Sequence, residues 1–178
     1  RLGQDHFGTQ LLALWQAEGV DTSGIETDAG AATGIYFVSH GPAGHEFSYL
    51  RAGSAASRMT EQWLARGPAA QAISDARILH VSGISLALSP GACDTVFEAM
   101  EVAREAGTRV AFDSNLRLKL WPLARAQACI QKAIGLCDIF LPSLEDMAEK
   151  EHLTRRTFMR KPASEGHSYQ GLQIGRAH

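Results

Sequence analysis

From Arg77 onward, short apolar runs alternate with longer amphipathic segments at a nearly constant interval. The runs Ile78–Ser82, Val110–Asp113 and Ile139–Leu141 have the length and composition of buried strands, and they begin about thirty residues apart. Each interval has room for one helix, which is the pattern of βαβ units with parallel strands and right-handed crossovers. The sequence therefore predicts an α/β fold in which helices flank a parallel sheet.

The helices that accompany these strands have recognisable boundaries. Ser89 and Pro90 are typical of a helix start, and Gly107 is typical of a helix end. A second helix is predicted over Leu123–Gly135 and a third over Ser143–Lys150. The first two helices fill the gaps between strands, and the third follows the last strand.

Before residue 77 the sequence predicts a helix and a hairpin. Apolar residues at helical spacing indicate a helix over Asp5–Gly19. Two aromatic-rich segments, Gly34–His40 and Glu46–Arg51, are typical of strands, and Gly41-Pro42-Ala43-Gly44 between them is typical of a turn. We therefore expect an antiparallel hairpin over residues 34–51.

The 178 residues are enough for one domain, and their charge narrows the range of partners. With 17 Lys and Arg against 19 Asp and Glu, the net charge of -2 argues against a protein that binds nucleic acid through its backbone charge. No apolar run approaches the roughly 18 residues that span a bilayer, so no membrane partner is expected. Three cysteines without CxxC spacing favour a reducing compartment, and a cytoplasmic location is predicted.

Several common catalytic motifs are missing from the sequence. There is no GxxxxGK(S/T), no GxGxxG after a strand, no GxSxG and no HExxH. Their absence disfavours P-loop enzymes, classical dehydrogenases, serine hydrolases and metal hydrolases. His80 lies inside the first predicted parallel strand and is expected to be a core histidine rather than a metal ligand.

Polar side chains follow the predicted parallel strands at the point where each strand ends. The segments concerned are 83–85, 113–117 and 142–146. Ligands of open α/β sheets bind outside the carboxyl ends of the strands, where these segments should meet. Asp113, Asn115 and Arg117 taken singly are also typical of turns and caps. Taken together, they favour a cluster that faces a ligand.

The hairpin carries a second candidate group. Tyr49 and Arg51 are two residues apart on a strand and therefore project to the same face, and Tyr36 is on the facing strand. Tyrosine rings pack on carbon and hydroxyl groups, and a guanidinium binds a carboxylate or a phosphate. The face suits a small polyhydroxylated acid. The alternative is an ordinary exposed strand face with a solvated arginine.

Four segments of the chain have the form of family motifs: Gly3-Gln4-Asp5-His6-Phe7-Gly8, Gly19-Val20-Asp21-Thr22, Tyr49-Leu50-Arg51-Ala52-Gly53-Ser54-Ala55-Ala56, and Phe112-Asp113-Ser114-Asn115-Leu116-Arg117 with Leu120-Trp121-Pro122 after it. They resemble motifs of one enzyme family, the ribokinase-like (PfkB) carbohydrate kinases, and the resemblance covers roughly residues 1–153. The third and fourth segments look most like 2-keto-3-deoxygluconate kinases within that family.

The resemblance implies a ribokinase-like α/β fold and a sugar-acid kinase that uses ATP and Mg2+. Residues 34–51 would form a lid over the sugar, and a homodimer formed through the lid is one arrangement that relatives adopt. The implied sugar-binding residues are Tyr36, Tyr49, Arg51, Ile84 and Arg117. The implied nucleotide-binding residues are Asn115, Leu116, Arg117 and Ser143. Asp146 is a weak metal candidate, because many relatives have N-x-x-E where this chain has Ser143 and Asp146.

The resemblance also implies that the chain is a kinase fragment, truncated at both ends. The early glycine-rich sugar-binding segment of the family would precede Arg1, and its G-A-G-D segment, which carries the catalytic base, would follow Lys150. We therefore assign no catalytic residue and expect the 178-residue chain to be inactive. Residues 1–153 would be a partial kinase domain, and 154–178 a disordered or non-native tail. The alternatives are a fructokinase or another sugar kinase of the family, and a non-catalytic sugar-binding or interaction module.

Overall fold

A computed structural model describes residues 1–42 and 44–142. The predicted third helix and the predicted tail lie outside this part of the chain, as does Ala43 of the predicted turn. The described elements are, in chain order, β1 (Leu2–Gly3), α1 (His6–Ala17), β2 (Thr27–Asp28), β3 (Ile35–Gly41), β4 (Gly44–Leu50), a 3-10 turn (Ala56–Arg58), α2 (Glu61–Arg66), α3 (Ala69–Asp75), β5 (Ile78–Ser82), α4 (Gly83–Ala87), α5 (Pro90–Glu105), β6 (Arg109–Asp113), α6 (Leu123–Leu136) and β7 (Ile139–Leu141).

The three predicted parallel strands form one sheet in the order β5-β6-β7. Both pairs are parallel, and the helices that connect them complete two βαβ units. Ser82 pairs with Asp113, and Asp113 pairs with Leu141, so the three strands end at the same edge. The predicted α/β fold with a parallel sheet is confirmed.

The helix boundaries follow the local signals in the sequence. The Ser89 side chain accepts a hydrogen bond from the Ala92 N–H, 3.0 Å away, and Pro90 is the first residue of α5. Gly107 ends that helix with a φ of 78°, a backbone conformation that glycine adopts without strain. Asp5 caps α1 in the same way as Ser89 caps α5, by accepting a hydrogen bond from the Gly8 N–H at 2.8 Å.

The hydrophobic core lies between the sheet and the two long helices, α5 and α6. Val96, Met100 and Ala103 of α5 are buried against Phe112 of β6, whose side chain is fully buried. Cys93 is also buried here, and its Sγ lies 3.7 Å from that of Cys129. Burial, followed by the neighbouring thiol, raises the pKa of Cys93 to about 11, so this thiol is protonated at neutral pH.

The prediction that His80 is a core histidine is wrong. His80 is exposed, and so is Ile78 two residues before it, whereas Val81 is buried. Successive strand residues point to opposite faces, and α5 and α6 pack on the face that carries Val81 and its partner Phe112. Ile78 and His80 point to the opposite face. The position of this strand was predicted correctly, but its burial on both faces was not.

The hairpin has the predicted strands and a uniform register. β3 and β4 pair antiparallel from Ile35 opposite Leu50 to Gly41 opposite Gly44. Six of its large apolar side chains are exposed, including Tyr36 at 62% and Phe37 at 55%. Because Tyr36 and Phe37 point to opposite faces, both faces of this two-stranded sheet are open. A two-stranded sheet of this kind has little stability by itself.

Candidate functional site

A pocket of about 200 Å³ lies at the base of the hairpin, where its strands meet the rest of the chain. Tyr36, Tyr49 and Arg51, the three hairpin residues singled out in the sequence, all line it. Leu88, at the end of α4, lines it as well. The structure therefore brings the predicted hairpin group together around one concave space.

The aromatic side chains of the hairpin form one continuous face. Tyr36 is directly opposite Tyr49 in the register, with ring centroids 6.1 Å apart. The Phe47 ring stacks with that of Tyr49 at 6.2 Å and is 6.2 Å from that of Tyr36. These spacings are those of interacting aromatic pairs. Phe47 was not among the predicted site residues, although its alternation with Tyr49 and Arg51 places it on the same face.

Arg51 is held over the Tyr49 ring. Its Cζ lies 4.3 Å from the ring centroid, a contact that is compatible with the shared face predicted from the two-residue spacing. Stacking occupies the flat face of a guanidinium and leaves its N–H edges free to bind a carboxylate in two places. Among residues 1–42 and 44–142, no acidic side chain forms an ion pair with Arg51. The pocket therefore presents a half-buried cation whose anionic partner is not supplied by the described chain.

Thr33, another residue that lines the pocket, is held in place by Asp5. The Asp5 carboxylate accepts hydrogen bonds from the Thr33 N–H at 2.6 Å and from the Thr33 hydroxyl at 2.9 Å. Thr33 Oγ1 also accepts a bond from the Gly3 N–H at 2.9 Å. The hydrogen bond from the Thr33 backbone, followed by that from Gly8, holds the pKa of the Asp5 carboxyl below its usual value. Thr33 and the adjacent Gly34 line the pocket, so this network sets where β3 begins.

A tight turn carries the chain from Arg51 to Ser54. The Ser54 N–H donates to the Arg51 carbonyl at 3.1 Å, and Gly53 has a φ of 70° at the third position of the turn, as in type II turns. The Ala55 N–H then donates to the Ala32 carbonyl at 2.9 Å, which fastens the turn to the segment before β3. Gly34 and Ser54, both pocket residues, were not predicted as site residues. The signal for Ser54 was the glycine and serine content of the run that begins at Tyr49, whereas Gly34 lies outside that run.

The second predicted group lies at the carboxyl edge of the parallel sheet. Ile84 is in the first turn of α4, directly after β5, and Asn115 follows β6. The backbone of Gly83 packs so closely against the Ser114 carbonyl that a Cβ would not fit between them. The two strand-end segments therefore meet, as the sequence predicted. Neither Ile84 nor Asn115 lines the hairpin pocket, so the predicted site residues form two groups.

The residues after β6 adopt a strained turn. The Asn115 N–H donates to Asp113 Oδ1 at 3.1 Å, and Asn115 has a φ of 33°, which is uncommon for any residue but glycine. Leu116 packs its side chain in the core, so only its backbone could face a nucleotide. Arg117 is exposed, and its Nη1 donates to the Leu116 carbonyl at 3.1 Å.

The remaining predicted residues, Ser143 and Asp146, lie outside the described residues. Within the described ranges, no three His, Cys, Asp or Glu side chains are grouped as ligands of a metal ion. The same ranges contain no helix that is both long and apolar enough to cross a membrane.

Comparison with known proteins places these features in a family context. The family model described as "pfkB family carbohydrate kinase" matches residues 1–157. The chain is 37% identical over 146 residues to a fructokinase of Solanum tuberosum, with 81% of this chain and 43% of that protein covered. It is 39% identical over 137 residues to a 2-dehydro-3-deoxygluconokinase of Thermoproteus tenax, with 73% and 39% covered.

Solved structures match the fold as well. The structure matches that of a putative ribokinase II from E. coli in complex with ATP and Mg2+, with a TM-score of 0.72 and 26% identity over 82% of this chain and 45% of that one. The chain thus spans less than half the length of the relatives it matches. The two curated relatives are about equally similar, so similarity alone does not select between their substrates.

Proposed function

The chain belongs to the pfkB family of carbohydrate kinases, and on that premise we propose that its hairpin pocket binds a sugar acid as the acceptor of a phosphoryl group from ATP. The acid we propose is 2-keto-3-deoxygluconate, the compound also called 2-dehydro-3-deoxygluconate. In this proposal residues 1–153 are part of a kinase domain, and residues 34–51 are the lid that covers the sugar and excludes water.

Arg51 is the observation that carries the choice of an acid. Its guanidinium is half-buried in the pocket, stacked on Tyr49, and without an ion pair among the described residues. Leaving a charged group partly buried without a partner costs free energy, which a ligand carboxylate would recover. Fructose has no carboxylate. The sugar acid therefore explains this cation better than a neutral sugar does.

The tyrosines have a complementary role in the proposal. Tyr36 and Tyr49 stand opposite each other at the pocket, and their phenol groups can each donate and accept a hydrogen bond. Their rings cover the carbon chain of the acid while the hydroxyls contact its oxygens. Ile84, on α4, would contribute apolar contact if α4 forms the far wall of the sugar site, beyond Leu88.

The strand-end group is proposed to bind ATP. Asn115 and Arg117 follow β6 at the edge where ligands of open α/β sheets bind, and the Arg117 guanidinium would neutralise charge that builds up during transfer. Phosphoryl transfer depends mainly on positioning and on charge neutralisation. Mg2+ is usually held by one or two carboxylates together with phosphates and water, and Asp113 is the described carboxylate placed at this edge.

A homodimer formed through the lid is part of the same proposal. Both faces of the hairpin carry exposed aromatic or aliphatic side chains, including Tyr36, Phe37 and Leu50. A second copy that packed against one face would cover apolar area that the described chain leaves open.

The proposal is tested by replacing Arg51 and titrating two sugars into the 178-residue chain by calorimetry. We expect Arg51→Ala to weaken binding of 2-keto-3-deoxygluconate by about 10- to 100-fold, the usual effect of losing charge-assisted hydrogen bonds. Binding of fructose should change little. The matched control is Arg66→Ala, which removes an exposed arginine at the end of α2. Equal losses for both sugars would favour the fructokinase alternative, and no binding of either sugar would contradict the proposed site.

A further inference from the structure

Ser54 has a buried hydroxyl group without a hydrogen-bond partner. The residue is 4% exposed, and its Oγ contacts no donor or acceptor among the described residues at hydrogen-bond distance. A serine hydroxyl can donate one hydrogen bond and accept two, and nearly all buried hydroxyls in proteins use at least one of these. An exception of this kind requires an explanation.

The backbone groups of Ser54 are already used, so the hydroxyl is the available part of the residue. Its N–H donates to the Arg51 carbonyl at 3.1 Å, and its carbonyl accepts a bond from the Ser57 hydroxyl at 2.8 Å. These two bonds fix the backbone of the turn. Ser54 is one of the residues that line the same pocket as Tyr49 and Arg51.

Gly34 explains why the hydroxyl is unpartnered. A Cβ placed on Gly34 would lie 3.2 Å from Ser54 Oγ and 3.3 Å from Arg51 Cβ. The hydroxyl therefore lies next to the backbone of Gly34, where no side chain projects. Gly34 presents no side chain that could accept the hydroxyl proton. Rotation about the Cα–Cβ bond of Ser54 between staggered positions redirects the hydroxyl without moving the backbone.

We propose that the Ser54 hydroxyl is a substrate-binding group that donates a hydrogen bond to an oxygen at the acid end of the bound sugar. This inference rests on the proposed function, because Arg51 and Ser54 are the first and last residues of one turn. A carboxylate held by Arg51 would bring its own oxygens and the adjacent 2-keto oxygen next to Ser54. Both are acceptors, and a serine hydroxyl is a suitable donor to them. The ligand would then satisfy both the unpaired cation and the unpaired hydroxyl of the turn.

The test compares Ser54→Ala with Ser48→Ala in the 178-residue chain. Ser48 is an exposed serine of β4 that does not line the pocket, so it is a matched control for loss of a hydroxyl. Calorimetric titration with 2-keto-3-deoxygluconate should show weaker binding to Ser54→Ala by about 5- to 15-fold, and unchanged binding to Ser48→Ala.

A second measurement separates binding from folding. Removal of an unpartnered buried hydroxyl should leave the melting temperature of the free chain unchanged or slightly higher. The rise in melting temperature that the sugar acid causes should be smaller in Ser54→Ala than in the unsubstituted chain. A lower melting temperature of free Ser54→Ala would show a structural role and overturn the proposal.

The outcomes distinguish this proposal from the proposed function. Unchanged affinity of Ser54→Ala together with a large loss in Arg51→Ala would overturn the role of Ser54 and leave the sugar-acid site standing. An unsubstituted chain that binds fructose but not the acid would contradict the proposed function, and the ligand assigned to Ser54 with it.

Discussion

One carboxylate, that of Asp5, joins the first helix to the segment that enters the hairpin. Its two oxygens accept hydrogen bonds from Gly8, which is three residues later in the chain, and from Thr33, which is 28 residues later. The capping bond follows from local sequence, because Asp is a preferred residue before a helix. The bonds to Thr33 link residues 28 positions apart, and no local sequence pattern predicts such a contact.

We predict that Asp5→Asn makes the chain less stable and its stability less sensitive to acid. The pKa of Asp5 is lowered in the folded chain, so the carboxylate stabilises the fold above its unfolded pKa, and that contribution disappears as the pH falls below about 4. An amide would instead turn an NH2 group toward one of the N–H donors. The melting temperature of the variant should be lower at pH 7, and it should change less between pH 5 and pH 3.

The control for this prediction is Asp75→Asn, which changes an exposed aspartate of α3 that is bonded only to a side chain of the same helix, Gln71, among the contacts described. Its melting curve should follow that of the unsubstituted chain across the same pH range. If Asp5→Asn kept the full acid dependence, the link between Asp5 and Thr33 would not contribute to stability.

At the level of elements, β6 is the strand on which the parallel sheet depends. It lies between β5 and β7, and Phe112 at its centre is fully buried and stacks with Phe140 at a centroid distance of 6.0 Å. We expect Phe112→Ala to lower the free energy of unfolding by about 3–5 kcal/mol, the usual cost of deleting a buried phenylalanine. Urea unfolding measures this change.

Phe37→Ala is the matched control, because Phe37 is also a strand phenylalanine but is 55% exposed. In the monomer its effect should stay within about 0.5 kcal/mol. A similar loss for both variants would mean that the hairpin packs against another surface in solution, which is the behaviour expected of a dimer formed through it.

The positions of the longer helices and strands were largely predictable, but the burial of their side chains was not. The strand at 139–141 and the start of α5 at Pro90 match the predictions to the residue, since apolar runs and capping residues act locally. The exposure of His80 depends on which face of the sheet the helices cover, which is a property of packing. The very short β1 and β2, two residues each, have no pattern of their own and were missed.

For the molecule as a whole, the sequence predicted two groups of site residues, and in the structure only the hairpin group lines the pocket. Tyr36, Tyr49 and Arg51 meet in one pocket because their strands are paired and their spacing is even. Two further pocket residues, Gly34 and Ser54, were not predicted. They lie in the segments that flank those strands, where no periodicity indicates a site. The two groups are linked along the chain by α4, which has Ile84 at its start and leads to Leu88, a residue that lines the pocket.

We expect this 178-residue chain to bind the sugar acid without transferring a phosphoryl group to it. It contains the hairpin pocket that we propose as the sugar site and the strand-end group, but it has no G-A-G-D segment, to which the family resemblance assigns the catalytic base. Loss of a general base alone usually lowers a rate by about 10²- to 10⁴-fold, and loss of the groups that neutralise the transferred phosphoryl lowers it further. We therefore expect the chain to bind 2-keto-3-deoxygluconate but to release no ADP above background in a coupled assay with ATP and Mg2+. Sugar-dependent ADP release that Arg51→Ala abolishes would contradict this prediction, because it would show that the residues present complete a catalytic site.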